Sequence, residues 1–331
     1  MTQNAPGVDD EKVTAWLTRL LPDLEPPLEF SPLTGGRSNL SIKFVDRRGS
    51  AYVLRRPPLG NVLESAHDMV REHRIVSALG SSKVPVAPTH GVCEDISVTG
   101  APFYIMTYVD GLVLSGPGSA ARLPREQRAG VSRHLVEVLA ALHDVDIDAV
   151  GLGDLARREG YIARQLKRWT GQWQATKTHE VPEMDELVRL LNEHMPEQVG
   201  TSIVHGDYRL GNMIVAGGQI QAVLDWELCT LGDPLADLGY LLNNWPEPGE
   251  PNGAEGYWTR NELCEAYATA SGRDLGQINF YQTFSSWRMA AINQGVYKRY
   301  LEGSMADSID LEEKKQSVQR RAKIALNQLV G

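Results

Sequence analysis

Asp207, Asn212 and Asp225 carry side chains that can bind a metal ion, and all three lie in one stretch, HGDYRLGNMIVAGGQIQAVLD, residues 205–225. Apolar residues on both sides of an Ala-Gly-Gly turn predict two short strands, so the second strand should return Asp225 to the loop that holds the other two residues. Carboxylate and amide oxygens suit Mg²⁺ better than zinc. The alternative interpretation is an ordinary hairpin, because Asp and Asn are common in turns.

The pattern H-G-D-x-x-x-x-N, followed by L-D-W-E, resembles the aminoglycoside phosphotransferase family of small-molecule kinases. The resemblance implies an α+β, bilobal, protein-kinase-like fold with a small antiparallel-sheet lobe and a larger, mainly helical lobe. It implies ATP and Mg²⁺ as cofactors, with Asp207 accepting or steering the proton of the acceptor hydroxyl and with Asn212 and Asp225 holding the metal. His205 should support this loop. Asp237 should hold the loop backbone, or else be a first-turn acid favoured by the helix dipole.

The resemblance also implies a nucleotide-covering loop at residues 33–39. Glycines there would let the backbone approach phosphate oxygens closely, so Gly35, Gly36 and Ser38 are candidate nucleotide-binding residues. A plain hairpin loop is the alternative.

Arg55 occupies the position where this family normally has a Lys that contacts the α- and β-phosphates. It lies near the end of a predicted strand at 51–56, in which alternation directs Arg56 to the opposite face. A solvated pair of arginines is the alternative. Glu72, on a predicted helix, matches the family's Glu that orients the phosphate-binding side chain, and we expect it to form a bidentate pair with Arg55. A solvent-facing Glu beside other arginines is the alternative.

The segment PFYIMTYVDG, residues 102–111, resembles the strand and hinge that join the two lobes. The adenine would then pair with the backbone at Thr107 and Val109, under Met106. The predicted lobes are residues 1–110, which bind nucleotide, and residues 111–331, which carry the catalytic and substrate-binding groups.

Periodicity and turn signals predict the remaining elements. Strands are expected within 28–53 and from 84 to 92, and a helix should begin at Asp233-Pro234, with Asp233 as its N-cap. Further helices are predicted at 9–21, 64–79, 125–144, 157–173, 183–195, 262–271, 275–300 and 311–329.

Length, charge and composition exclude several classes of protein. Its 331 residues favour about two domains. A net charge of −9 gives no basic field for nucleic acid. No apolar run approaches the ~18 residues that a membrane helix needs, and the polar N-terminus lacks the apolar region of a signal sequence, so we expect no membrane partner. The cysteines fit neither a disulfide framework nor zinc spacing and should be reduced and mostly buried, so we expect a cytoplasmic protein: Cys93, Cys229 and Cys264.

The segments YIARQLKRW and SSWRMAAINQGVYKR resemble the kinase domains associated with acyl-CoA dehydrogenases. They make four residues candidates for substrate binding, namely Arg164, Arg168, Trp287 and Arg288. Five basic residues on the predicted helix 157–173 favour an anionic or neutral hydroxyl metabolite, such as a hydroxyacyl thioester, over a cationic aminoglycoside. Solvated surface charge is the alternative. The acids that would instead suit an aminoglycoside lie on a predicted rim loop, at Glu247, Glu250 and Glu255.

A nucleotide-binding pseudokinase or scaffold is the rival function. Such proteins usually lack the base or a metal ligand, and this sequence retains Asp207, Asn212 and Asp225. Only Arg55, in place of the usual Lys, favours the rival.

Overall fold

The computed structural model describes residues 6–33, 39–59, 68–116, 118–250, 253–303 and 310–330. The predicted loop residues Gly35, Gly36 and Ser38 lie outside these ranges. The strands are β1 Glu29–Pro32, β2 Leu40–Val45, β3 Ala51–Arg56, β4 Thr89–Cys93, β5 Phe103–Thr107, β6 Leu112–Val113, β7 Ser202–Val204, β8 Met213–Ala216, β9 Gln219–Val223 and β10 Thr230–Gly232.

Most of the C-terminal two thirds of the described chain is helical. They are α1 Asp10–Leu20, α2 Met69–Leu79, α3 Ile96–Thr99, α4 Arg125–His143, α5 Tyr161–Thr176, α6 Pro182–Glu193, α7 Leu235–Asn243, α8 Arg260–Ser271, α9 Ile278–Leu301 and α10 Leu311–Val330. Most predicted helices agree with these to within a few residues at each end. In the described chain, no helix is long and apolar enough to cross a bilayer.

One predicted helix start is wrong, and another lies outside the described residues. Helix α2 begins at Met69, because the Asp68 side chain accepts a hydrogen bond from the backbone N–H of Arg71 and caps the helix there, and the predicted helix residues 64–67 lie outside the described ranges. Helix α5 begins at Tyr161 rather than at residue 157, because Gly160 has a left-handed backbone with φ of 64°. The two arginines before Gly160 are therefore not on the helix, and the basic face predicted for it is smaller than expected.

The first five strands form one antiparallel sheet in the order β1-β2-β3-β5-β4, against which α2 packs at β4 and β5. The predicted hairpin after the H-G-D motif is present as β8 and β9, which pair antiparallel. The backbone N–H of Leu224 donates to the carbonyl of Asn212 at 2.8 Å, which fixes the end of the hairpin against the loop. This bond brings Asp225 back beside Asn212, as the sequence predicts.

The apolar side chains form two buried clusters. The smaller cluster joins α1 to the five-stranded sheet and includes Leu17, Phe44 and Leu54. The larger cluster surrounds α4, α7 and α9 and also takes in the inner face of α2. The predicted boundary near residue 110 therefore stays a prediction, since one apolar cluster reaches across it. The three cysteines are free thiols.

Helix α7 lies against α9 at unusually short range, because Gly239 has no side chain. A methyl group built on Gly239 would lie 2.7 Å from the backbone carbon and 2.8 Å from Cβ of Tyr281. Both atoms belong to the fixed part of α9, so a larger residue would push the two helices apart. The close approach sets the position of Asp237 and Tyr240, which lie on the same helix as Gly239.

Gly239→Ala should therefore destabilise the protein by about 1–3 kcal/mol, the usual cost of an overpacked core. Gly171→Ala on α5 is the matched control, since a methyl group there meets no atom within 4 Å among the described residues. That change should be neutral or slightly stabilising, because Ala is the better helix former. Urea unfolding of both variants measures the difference, and equal stabilities would contradict the close packing of α7 on α9.

Candidate active site

The loop between β7 and β8 is held at its backbone by one buried carboxylate. Asp237 is fully buried, and its two oxygens accept hydrogen bonds from the backbone N–H groups of His205 at 2.6 Å and Gly206 at 2.8 Å. Burial alone would raise the pKa of Asp237, but hydrogen bonds from His143 and from the loop lower it overall. Asp237 thus contacts the loop backbone, as the resemblance implies.

His205 supports the same loop from within. Its Nε2 lies 2.9 Å from the carbonyl oxygen of Leu224, to which it donates, and its Nδ1 accepts from the backbone N–H of Asp207 at 3.2 Å. These partners define one tautomer, with the proton on Nε2. Both ring nitrogens are thus engaged with backbone, which suits the predicted supporting role.

Asp207 projects from this loop with its side chain 19% exposed, and each of its oxygens is held. The hydroxyl of Tyr240 donates to Oδ1, and Nε of Arg209 lies 3.2 Å from the same oxygen. The side-chain amide of Asn212 donates to Oδ2 at 2.7 Å. A carboxylate fixed by three donors presents its remaining lone pairs in set directions, which suits the orientation of a substrate hydroxyl.

Tyr240 and Arg209 are contacts that the sequence analysis missed. Arg209 lies inside the loop motif, two residues after Asp207, so its proximity follows from local spacing. Tyr240 lies on α7 one turn after Asp237, and residues three apart share a face of a helix. The i, i+3 spacing of Asp237 and Tyr240 therefore predicts the Tyr240 contact, given that Asp237 lies against the loop.

Asn212 and Asp225 are the candidate ligands for a hard cation. The Asn212 amide nitrogen donates to Asp207 at both the backbone carbonyl, 2.9 Å away, and Oδ2, which directs the Asn212 side-chain oxygen elsewhere. Asp225 has a positive φ of 67°, a strained conformation for any residue other than glycine and one that clusters at functional sites. The ranges that the structure covers contain no cluster of three acidic, His or Cys ligands. Mg²⁺ needs none, since it binds through one or two side chains, phosphate oxygens and water.

Arg55 joins the sheet to the hairpin. Its Nε lies 2.8 Å from Oε1 of Glu72, and its Nη2 donates to Oδ1 of Asp225 at 2.7 Å. The N–H on Nε is poorly directed at Glu72, so this contact is an ion pair rather than a well-formed hydrogen bond. The expected bidentate pair with Glu72 is therefore wrong, because the two sides of the guanidinium serve two different carboxylates. Arg56 lies on the opposite face and is buried, so the solvated-pair alternative is also wrong.

Arg55 and Glu72 have largely buried side chains. Burial raises the pKa of Glu72, although the charge of Arg55 and a hydrogen bond from the Tyr104 hydroxyl, at 3.2 Å, oppose the rise. Burial alone would lower the pKa of Arg55, but the nearby Glu72, Tyr104 and Asp225 outweigh this effect. The pKa of Arg55 is raised overall, so the guanidinium stays charged. A charged, preorganised fork at this place can hold phosphate oxygens.

The predicted adenine contacts lie at the end of β5. Met106 and Thr107 are its last residues, and Val109 follows two residues later. The backbone N–H of Thr107 donates to the carbonyl of Pro88 at 2.8 Å, so it is not available to a base. A hydrogen bond between the Thr107 backbone and adenine would therefore use the carbonyl oxygen.

The candidate substrate-binding residues differ in position. Arg288 donates to the carbonyl of Gly206 at 2.6 Å and so reaches the catalytic loop. Trp287 is fully buried in the core, and its predicted contact with substrate is wrong. Arg164 bonds to the backbone just before its own helix, and Arg168 lies over the ring of Trp169. Neither of these two arginines is bonded to the catalytic loop in the described part of the chain.

A cavity of about 160 Å³ lies beside the catalytic loop. It is lined by Leu114, Gly116, Gly118, Ser119, Ala120, Arg209, Leu210, Gly211, Asn244, Trp245 and Pro246. A larger cavity of about 360 Å³ lies between α4 and the β8–β9 turn, and none of the predicted site residues lines it. The smaller cavity is the better candidate for the acceptor, because Arg209 connects it to Asp207.

Residues 29–274 match the model of the phosphotransferase enzyme family. The chain belongs to this family. A candidate aminoglycoside phosphotransferase from Ralstonia eutropha has the same fold with a TM-score of 0.84 and 35% identity, covering 97% of this chain and 98% of that one. A thermostable mutant of aminoglycoside phosphotransferase APH(4)-Ia, solved with AMP-PNP and hygromycin B, has a TM-score of 0.65 and 18% identity over 96% of this chain and 98% of that one. The expected α+β, kinase-like fold of a small-molecule phosphotransferase is confirmed.

Two curated relatives are longer proteins. Mouse acyl-CoA dehydrogenase family member 10 is 37% identical over 297 residues, which are 85% of this chain and 27% of that protein. Human acyl-CoA dehydrogenase family member 11 is 33% identical over 316 residues, which are 89% of this chain and 40% of that protein. The chain thus spans less than half of the length of either relative, and the expected resemblance to this group is confirmed.

Arg55→Ala should weaken ATP binding, and Glu72→Gln should partly reproduce the loss, because Glu72 helps to hold the guanidinium in place. Residues in direct contact usually show coupling energies of about 0.5–3 kcal/mol in a double-mutant cycle. Titration calorimetry with ATP on the two single variants and the double variant measures this coupling. Arg47→Ala, at an exposed arginine after β2, is the control and should leave affinity unchanged. Strict additivity would mean that Arg55 and Glu72 act separately.

Proposed function

We propose that this protein transfers the γ-phosphoryl group of ATP to a hydroxyl group of a small molecule in a Mg²⁺-dependent reaction. The observation that carries the proposal is the convergence of Asp207, Asn212 and Asp225 at one end of a loop whose backbone is fixed by Asp237. Phosphoryl transfer requires mainly positioning and charge stabilisation. In this proposal Asp207 would accept the proton of the substrate hydroxyl, and Asn212 and Asp225 would supply two hard oxygen ligands.

In the proposed reaction, Asp207 orients the acceptor hydroxyl and takes its proton. The acceptor oxygen bonds to the γ-phosphorus as the bond from that phosphorus to the β–γ bridging oxygen breaks, and ADP leaves. Asn212 and Asp225 would hold Mg²⁺, which when bound neutralises the charge of the β- and γ-phosphates. Arg55 would bind phosphate oxygens with the fork that now contacts Asp225. Met106, Thr107 and Val109 would contact the adenine.

The surroundings of Asp207 favour an anionic or neutral acceptor over a polycation. Arg209 is the charged residue that connects Asp207 to the adjacent cavity. Two rim-loop acids that would attract an aminoglycoside, Glu247 and Glu250, are both engaged by Arg260, at 3.1 and 2.7 Å. A hydroxyacyl thioester fits these charges, and the names of the curated relatives, which concern acyl-CoA dehydrogenation, point to the same class of compound.

Asp207→Asn should lower turnover by about 10²–10⁴-fold, the usual contribution of a general base, and leave ATP affinity nearly intact. The measurement is coupled ADP release from a metabolite extract, with mass spectrometry to find compounds that gain one phosphoryl group. Compounds phosphorylated by the wild-type protein and not by the variant identify the acceptor. Near wild-type turnover in the variant would remove Asp207 from the mechanism. An absence of phosphorylated product with the wild-type protein would favour the scaffold function.

Asp225→Ala should abolish the dependence of ATP affinity on Mg²⁺, because the charged ligand is lost. Asn212→Ala should weaken MgATP binding less, since it removes a neutral ligand. Calorimetry with MgATP and with ATP plus EDTA separates the metal's contribution from that of the nucleotide alone. If Asp225→Ala binds MgATP as tightly as the wild-type protein, Asp225 has a structural role instead.

A further inference from the structure

Arg321 on α10 is a half-buried cation. Within the residues that the structure covers, it forms neither an ion pair nor a hydrogen bond. Burial lowers the pKa of Arg321, as expected for a guanidinium that is withdrawn from water. Its neighbour Arg320 lies on the outer side of the same helix and pairs with Glu313 at 2.7 Å. The inner arginine is therefore the unusual one.

The packing of α10 directs Arg321 towards the active site. Gln328 donates to the side-chain oxygen of Asn243 on α7 at 3.0 Å and accepts from the hydroxyl of Ser286 on α9 at 2.9 Å. Arg321 precedes Gln328 by seven residues, so it lies on the same face of α10 about 10 Å along the axis. Tyr240 precedes Asn243 by one turn on α7. At the other end of α10, Nζ of Lys314 donates to the side-chain oxygen of Asn293 on α9 at 3.4 Å. Arg321 lies between Lys314 and Gln328, so it faces the part of α9 between Asn293 and Ser286, which includes Arg288, the neighbour of Tyr240. Tyr240 also acts electrostatically on Arg321.

Two further guanidinium groups surround Tyr240. Cζ of Arg288 lies 5.3 Å from the centre of the Tyr240 ring, and Nε of Arg288 is buried without a hydrogen-bond partner among the described residues. Arg209 contacts Asp207, which in turn accepts the hydrogen bond of the Tyr240 hydroxyl. Arginines from the loop, α9 and α10 therefore lie near Tyr240 and Asp207.

We propose that Arg321 binds an anionic group of the acceptor, a carboxylate or a phosphate, on the Tyr240 side of the hydroxyl that is phosphorylated. The proposal rests on the proposed kinase function and deepens it, because it assigns a residue that selects the acceptor. A guanidinium fork matches the oxygens of a carboxylate or phosphate, and an unpaired, partly buried charge is costly unless a ligand compensates it. Arg209 and Arg288 add positive potential at the same place.

The test compares Arg321→Met with Arg320→Met, which removes the same charge from the outer side of α10. Thermal unfolding is followed with AMP-PNP and Mg²⁺ present to fill the nucleotide site, and inorganic phosphate is added against sodium chloride of equal ionic strength. Phosphate should raise the unfolding midpoint of the wild-type protein and of Arg320→Met by about 2–4 °C, and should not raise that of Arg321→Met. Arg321→Gln serves as a second variant if the first does not fold.

Two organic probes then identify the source of the anion. If 3-hydroxybutyrate raises the unfolding midpoint of the wild-type protein but not that of Arg321→Met, the anion is a carboxylate. If coenzyme A does so, the anion is a phosphate of a thioester substrate. The proposal would be overturned if inorganic phosphate did not raise the midpoint of the wild-type protein, or if it also raised that of Arg321→Met. Phosphorylation is measured separately by ADP release, so a failure of the kinase function does not alter the result for Arg321.

Discussion

The two hydrogen bonds from the catalytic loop to Asp237 determine the geometry of the site. A buried carboxylate requires donors, and the backbone N–H groups of His205 and Gly206 supply them. The loop can approach so closely because Gly206 has a φ of 84° and because a methyl group there would lie 2.9 Å from the carbonyl oxygen of Leu228. Asp237 depends in turn on the contact of Gly239 with α9. Helix packing therefore sets the position of Asp207.

A second constraint links the sheet to the hairpin. Arg55 extends from β3 and contacts Glu72 on α2 and Asp225 after β9, so one side chain connects three elements. The contact engages Oδ1 of Asp225. An Arg suits this place because a guanidinium fork can bridge two carboxylates that a single ammonium group would reach less well.

Local spacing explains which features the sequence could predict. The hairpin follows from two apolar runs and a glycine turn, so the meeting of Asn212 and Asp225 was predictable. The roles of Arg55 and Glu72 came from the family pattern, but the division of Arg55 between two acids depends on the position of β9 relative to β3. Trp287 was misassigned because α9 is buried on most of its faces, so its sequence has no polar side to mark the site. The Tyr240 contact needs the docking of α7 on the loop, which periodicity alone does not give.

Amide hydrogen exchange of the catalytic loop in Asp237→Asn tests most directly whether one carboxylate holds the site together. An Asn side chain keeps the shape but offers one acceptor oxygen for two backbone donors, and leaves a buried N–H unpaired at a cost of about 1–3 kcal/mol. We expect the His205 and Gly206 amides to exchange about 5–100-fold faster in the variant, while amides of the five-stranded sheet keep their wild-type rates. Unchanged exchange at His205 and Gly206 would contradict it.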